Sequence, residues 1–229
     1  MMSSSNRTNG NDNLESKVFR RLARKTDQFE AFQHAHAERI ATLADEIAKL
    51  FNLASKDRQS LRGAALLHDL GEATMDRDYI KRPGTLTDEE RLDLARHPII
   101  GEQEAAKSGG DRATQLIVRW HHEWWNGGGY PDALRREEIP LAARILRVAD
   151  SYAAITDARP FRPAMSREKA RQQMAIWAGI EFDPQIVKAF LALDRLSELE
   201  SFAGSLSVAG EATDGQPATE WDLFSSVSK

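Results

Sequence analysis

Between residues 32 and 50, His36, Ile40, Leu43, Ile47 and Leu50 recur at spacings of four, three, four and three. That is the repeat of one helix face, and no stretch alternates apolar and polar residues as a half-buried strand does. Further helical patterns follow, so the fold class is expected to be all-α, a helical bundle. The stripe has one odd member: His36 stands where an apolar residue belongs and is expected to face inward. His34 shares its face with Glu38, Ala41 and Asp45 and is expected to face solvent. Arg39, one turn from His36, is placed to support a nearby carboxylate.

Other helices can be set out from their end signals. The pattern Leu14, Val18, Leu22 predicts a helix over 14–24, after a polar, Ser- and Asn-rich start to about Asn13 that reads as a disordered tail. The helix with His36 is expected to run from near Phe32 to Leu50. Ser55 can cap the next, expected to reach about Glu72. Leu61, Ala64 and Ala65 lie on one of its faces, Leu66, Leu67 and Leu70 on another, and a helix apolar on both sides is a buried one. His68 and Asp69 would then end a core helix. A buried Asp is rare unless paired or bound to metal; a polar pair at a helix end, with Gly71 as terminator, is the plainer alternative.

Residues 73–86 read as a polar connection. Thr87 and Glu90 form a capping box for a helix reaching His97, and Pro98 suits the first turn of the next, Ile99 to Lys107. A helix from Arg112 to Trp120 leads into His121-His122-Glu-Trp-Trp-Asn-Gly-Gly-Gly-Tyr130-Pro131. Two adjacent imidazoles before three glycines suggest metal ligands beside a backbone that turns sharply or passes close to a ligand, though a loop with a satisfied histidine pair has the same look. Ile139-Pro140-Leu141 starts a helix with Ile145, Val148, Ala149, Tyr152 and Ile155 inward and Asp150 half-buried. Two more are expected, from Ser166 to about Ala178 and from Pro184 to about Leu196. From Gly204 on, the chain reads as a loosely held tail with one apolar patch, Trp221, Leu223 and Phe224.

The chain has 229 residues, enough for one medium domain with tails, expected at 14–203. It has no cysteine, so disulfides and thiolate metal sites are excluded. A net charge of −4 gives no sign of a nucleic-acid surface. There is no secretory signal or bilayer-length apolar run, and a cytoplasmic location is the default expectation. Five of the six histidines (His36, His68, His97, His121, His122), with Asp69 and Asp150, make seven N/O donors. That is too many for one tetrahedral zinc but suits two ions such as Fe or Mn sharing a carboxylate. Paired metals are a recurring device for hydrolysing phosphate esters.

The order of these pieces resembles the HD superfamily of metal-dependent phosphohydrolases, specifically its HD-GYP branch. The matching segments are His36-Ala-Glu-Arg39, Leu67-His68-Asp69-Leu-Gly71, Arg82-Pro-Gly-Thr-Leu-Thr-Asp-Glu89, His97-Pro98, the stretch from His121 to Pro131, Arg147-Val-Ala-Asp150 and Thr156-Asp-Ala-Arg159-Pro-Phe-Arg162, spanning roughly residues 30–195. The resemblance implies an HD-type helical bundle and a cyclic di-GMP phosphodiesterase. It implies one metal site at His36, His68, Asp69 and Asp150 and a second at Asp69, His97, His121 and His122. Asp69 would bridge the two, with Asp69 and His68 at the catalytic centre. Tyr130, Arg159 and Arg162 match substrate-contacting positions, where Arg suits phosphate through its planar fork. The Gly129-Tyr130-Pro131 loop matches an element implicated in contact with diguanylate cyclase domains.

The departures are as informative. Glu72 stands where the family usually has a Lys near the substrate phosphate. It removes a cation there and could instead bind metal or pair with an arginine. Asn126 and Ala153 replace usual aspartates. Phe32 stands where three-metal members have Glu, so two ions are expected. Only a short segment precedes the domain, where the family usually carries a receiver or sensor. Hydrolysis of another nucleotide, or a weakly active module binding a nucleotide or protein, are the alternatives.

Overall fold

In the computed structural model the chain is described over residues 5–193, apart from 33 and 159–162. Eleven α-helices and one 3-10 turn, Arg136–Glu138, follow in order among these residues: α1 Ser5–Phe29, α2 His36–Leu50, α3 Ser55–Leu67, α4 Leu70–Met75, α5 Asp78–Lys81, α6 Asp88–Leu94, α7 His97–Lys107, α8 Arg112–Trp120, α9 Leu141–Thr156, α10 Arg167–Ile176 and α11 Pro184–Leu191. No strand occurs among the described residues; Ala178 and Phe182 form one isolated bridge. The all-α expectation therefore holds. No described helix is long and apolar enough to cross a membrane.

At the centre, α2 lies against α3 and α9, α3 also meets α8, and α4 and α8 both pack on α7. The stripe of α2 buries Ile40, Leu43 and Ile47 as its spacing requires, against Leu61 and Leu67 of α3, Ile145 and Tyr152 of α9 and Phe190 of α11 in one core. Complete burial of such side chains stabilises by about 1.5–3 kcal/mol each, and this closes the bundle.

Several boundaries differ from expectation for identifiable reasons. Helix α1 starts at Ser5, so residues 5–13, expected as a disordered tail, continue the helix. Once a helix is nucleated each further residue adds a bond, and a polar stretch can ride on it. Its inward residues are Phe19, Ala23, Thr26 and Asp27, while Val18 is exposed. Helix α2 starts at His36 and not near Phe32. Ala31 turns the chain at φ 63°, and Asp27 of α1 accepts a hydrogen bond from the Ala37 N–H at 3.2 Å. The N-terminus of α2 is thus capped from a neighbouring helix, which fixes where His36 begins it.

Ser55 is the first helical residue of α3 and makes no side-chain cap. The helix expected to reach Glu72 breaks at His68-Asp69, and Gly71 lies inside α4 and does not terminate α3. The expected connection over 73–86 holds the end of α4 and all of α5. The Thr87–Glu90 capping box is made in both directions, at 2.9 and 3.3 Å, but α6 ends at Leu94, short of His97. Instead His97 opens α7, with Pro98 in its first turn. Ser166 caps α10 through the Lys169 N–H. Helices α10 and α11 stop at Ile176 and Leu191, short of the expected Ala178 and Leu196. The apolar patch at Trp221, Leu223 and Phe224 lies outside the described residues.

Candidate metal centre

Three histidines are held in one way. The Nδ1 atoms of His68, His97 and His121 donate to the carbonyl oxygens of Ala65 (3.0 Å), Leu94 (2.8 Å) and Val118 (2.6 Å), each three residues back. A carbonyl only accepts, so Nδ1 carries a proton and Nε2 is turned inward. His36 takes a carboxylate partner, its Nδ1 lying 2.6 Å from Asp157 Oδ2. Arg39 binds the other oxygen of Asp157 and, at 2.7 Å, Thr156 Oγ1, so the carboxylate expected beside Arg39 is Asp157. Burial pushes the Asp157 pKa up, but His36 and then Arg39 outweigh it and hold the group below its ordinary value.

The seven donors fall into two groups. Ligand atoms of Asp69, His97, His121 and His122 lie within 4.8 Å of one another, and so do those of His36, His68 and Asp150. Asp69 stands between them. Its Oδ2 is 2.8 Å from His68 Nε2, and its Oδ1 is 3.5 Å from His97 Nε2 and 3.6 Å from His121 Nε2. Asp150 Oδ1 lies 3.7 Å from His68 Nε2. The break between α3 and α4 supplies both His68 and Asp69, α7 opens on His97, the end of α8 delivers His121 and His122, and α2 and α9 bring His36 and Asp150.

The electrostatics suit ligands. Burial, then the neighbouring His121, pushes the His97 pKa down to about 3, so its ring is neutral at physiological pH. Burial opposes charge on His68, but Asp69 holds its pKa well above the ordinary value. Burial likewise opposes charge on Asp69, yet His68, His121 and His97 hold it well below the carboxylate range. A bound cation would replace the His68 proton. The buried His68 Nε2 makes no hydrogen bond among the described residues despite its 2.8 Å approach to Asp69, as expected of two donors aimed at a shared cation. Nitrogen and oxygen donors of this kind fit a divalent metal. His122 fits less simply: its Nδ1 lies 2.9 Å from Arg147 Nη1.

The other expected site residues divide. The Tyr130 ring stacks on His122 at 4.9 Å and meets His97 edge-on at 6.3 Å. Glu72 is in neither ligand group; its Oε1 is 3.8 Å from His97 Nδ1, on the ring's outer side. Phe32 stacks on His36 at 3.7 Å, an apolar cover where a further carboxylate would offer a ligand. Asn126 is exposed and accepts from the Gly128 N–H. Arg159 and Arg162 lie outside the described residues. Gly129 is needed for close approach: a Cβ there would stand 2.3 Å from Trp124 N and 2.4 Å from His122 O.

Three features escaped the sequence reading. Glu123, buried, accepts from the N–H groups of Asp132 (2.6 Å) and Leu134 (3.0 Å) and so shapes the loop carrying Tyr130. Asp27 of α1 and Glu30, just past its end, are buried as well. Arg147 and Glu181 form a buried ion pair behind His122. Arg147 carried a signal, a lone cation in the apolar run Ile145–Ala149.

The HD domain family matches residues 17–186. A Xanthomonas campestris protein, the cyclic di-GMP phosphodiesterase response regulator RpfG, is 35% identical over 198 residues, covering 85% of this chain and 52% of that protein. A Vibrio cholerae cyclic di-GMP phosphodiesterase is 39% identical over 138 residues, 57% of this chain and 28% of that one. The chain thus spans about half or less of the length of these relatives. A solved structure of a cyclic GMP-AMP specific phosphodiesterase from Vibrio cholerae superposes with a TM-score of 0.65 at 19% identity, over 82% of this chain and 51% of that one. That likeness concerns the fold.

Proposed function

The chain belongs to the HD domain family, and from that premise we propose that it is a metal-dependent phosphodiesterase acting on a cyclic dinucleotide, cyclic di-GMP first, at a centre of two Fe or Mn ions. One observation carries the reading: the two oxygens of Asp69 face different ligand groups, Oδ2 toward His68 and Oδ1 toward His97 and His121. In this reading His36, His68, Asp69 and Asp150 hold one ion, and Asp69, His97, His121 and His122 the other, within a domain over about 14–203. Such ions supply an activated water and offset phosphoryl charge. The chain's own part is to keep the donors buried and aimed, with the His97 ring neutral. Carbonyls of Ala65, Leu94 and Val118 orient three rings, Asp157 orients a fourth, and Tyr130 covers His122. Arg159, Arg162 and Tyr130 are the proposed substrate contacts. A cytoplasmic location, and docking of a diguanylate cyclase domain at Gly129-Tyr130-Pro131, complete the proposal.

Protein purified anaerobically is expected to contain close to two Fe or Mn ions per chain and to hydrolyse cyclic di-GMP within a panel of cyclic dinucleotides and mononucleotides. One ion or none per chain would end the binuclear reading.

A second substrate reading, another nucleotide, is favoured by Glu72. Its carboxylate lies beside His97, where negative charge opposes an incoming phosphodiester. Glu72→Lys is expected to raise kcat/KM for cyclic di-GMP about tenfold, roughly 1.4 kcal/mol, with metal content unchanged. Unchanged kinetics would remove Glu72 from the substrate path, and loss of metal would make it a ligand.

A further inference from the structure

Arg147 projects from α9 into a buried position one turn before Asp150. Its Nη1 is 2.9 Å from His122 Nδ1 and 3.5 Å from Asp150 Oδ2, and its Nη2 pairs with Glu181, itself buried. Glu181 is held from the other side, where the Trp125 N–H donates to its carbonyl at 2.9 Å and the Asn126 N–H to Ile180 O at 2.9 Å. The guanidinium is therefore clamped between the segment carrying the paired histidines and the turn before α11.

A guanidinium has five N–H donors and no acceptor. The contact with His122 consequently uses the lone pair of Nδ1, and a neutral ring then carries its proton on Nε2. That is the reverse of the arrangement at His97 and His121. A ring nitrogen can ligate a cation only through a lone pair, and here one is taken by Arg147 and the other nitrogen is protonated. A fixed positive charge beside a cation site also repels its occupant.

We infer that Arg147 competes with the metal for His122, so that His122 ligates only when this hydrogen bond is broken. The second ion is then the weaker and exchangeable one, and Arg147 with Glu181 sets its affinity. This inference rests on the proposed metal centre.

The test uses the full chain in metal-free form. With 15N-labelled histidine, His122 is expected to show the Nε2–H tautomer; an Nδ1–H tautomer in the native protein overturns the inference without any variant. Titration with Mn2+ alone then compares the native chain with the double variant Arg147→Met, Glu181→Gln, which removes both charges together and so does not leave Glu181 as an unpaired buried carboxylate. The second Mn2+ is expected to bind the variant about tenfold or more tightly, the scale on which groups behind a ligand act. Equal or weaker second-site binding by a variant of native circular dichroism overturns the inference alone. Failure of both chains to bind any Mn2+ overturns the metal-centre reading and this inference with it.

Discussion

Asp69→Ala is expected to lose both ions and all measurable hydrolysis while keeping the helical fold. The backbone at Asp69, φ −99° and ψ 13°, is open to alanine, so the break between α3 and α4 survives. The carboxylate does not. It is the one donor with an oxygen toward each ligand group, and with it goes the negative charge between them. Two unit positive charges about 4 Å apart repel by roughly 4 kcal/mol at an effective dielectric of about 20, and ions of higher charge repel more. His97, His121 and His122 offer no anion to offset that. Metal analysis and an assay on cyclic di-GMP check the result, with Asp88→Ala, on an exposed helix start, as control. Retained activity would remove Asp69 from the centre; a simple helix-end carboxylate would give only a modest stability change.

The second large effect is expected at Gly71. A glycine inside a helix is ordinarily about 1 kcal/mol worse than alanine, so a roomy position gains from the change. Gly71 has no room: a Cβ there would lie 2.1 Å from His97 O and 2.9 Å from Gly101 N, both backbone atoms of α7. Relief requires the two helices to part, and overpacking of this kind costs about 1–3 kcal/mol, here at the upper end. Gly71→Ala is therefore expected to be destabilised by about 2 kcal/mol net, a fall in Tm of roughly 4–8 °C for a chain of this size. Because His97 opens α7, the same displacement should weaken metal binding at its group. A variant as stable as the native chain would show that α4 and α7 are not pressed together there.

The helices were legible because burial imposes a 3.6-residue repeat. The α2 stripe, the Thr87–Glu90 box and Pro98 in a first turn are local signals, and the structure repeats them. The break at His68-Asp69 was not legible, because Leu66, Leu67 and Leu70 continue an apolar pattern straight through it. What bends the chain there is the close contact of α4 with α7, which no spacing records. The roles of Asp157 and Arg147 were hidden for a similar reason. Their partners His36 and Glu181 are 121 and 34 residues away, and the pairing exists only once α9 lies against its neighbours. For the candidate site, the resemblance implied Asp69 in both ligand groups, while the side chains gather as His36, His68 and Asp150 and as Asp69, His97, His121 and His122; it said nothing of the groups behind them.

The candidate ligands come from α2, the α3–α4 break, α7, the end of α8 and α9. Any ion they hold is a cross-link tying together chain segments from His36 to Asp150, closing loops that an unfolded chain would have to close against its own entropy. Binding energy is then also folding energy, and a site loaded at a hundred times its Kd adds about 2.7 kcal/mol to the native state. A chelator would lower the stability of the bundle, without undoing it, as well as remove the ions. The amount of folded protein would follow the supply of metal, making the domain's abundance, and not only its turnover, a report on that supply.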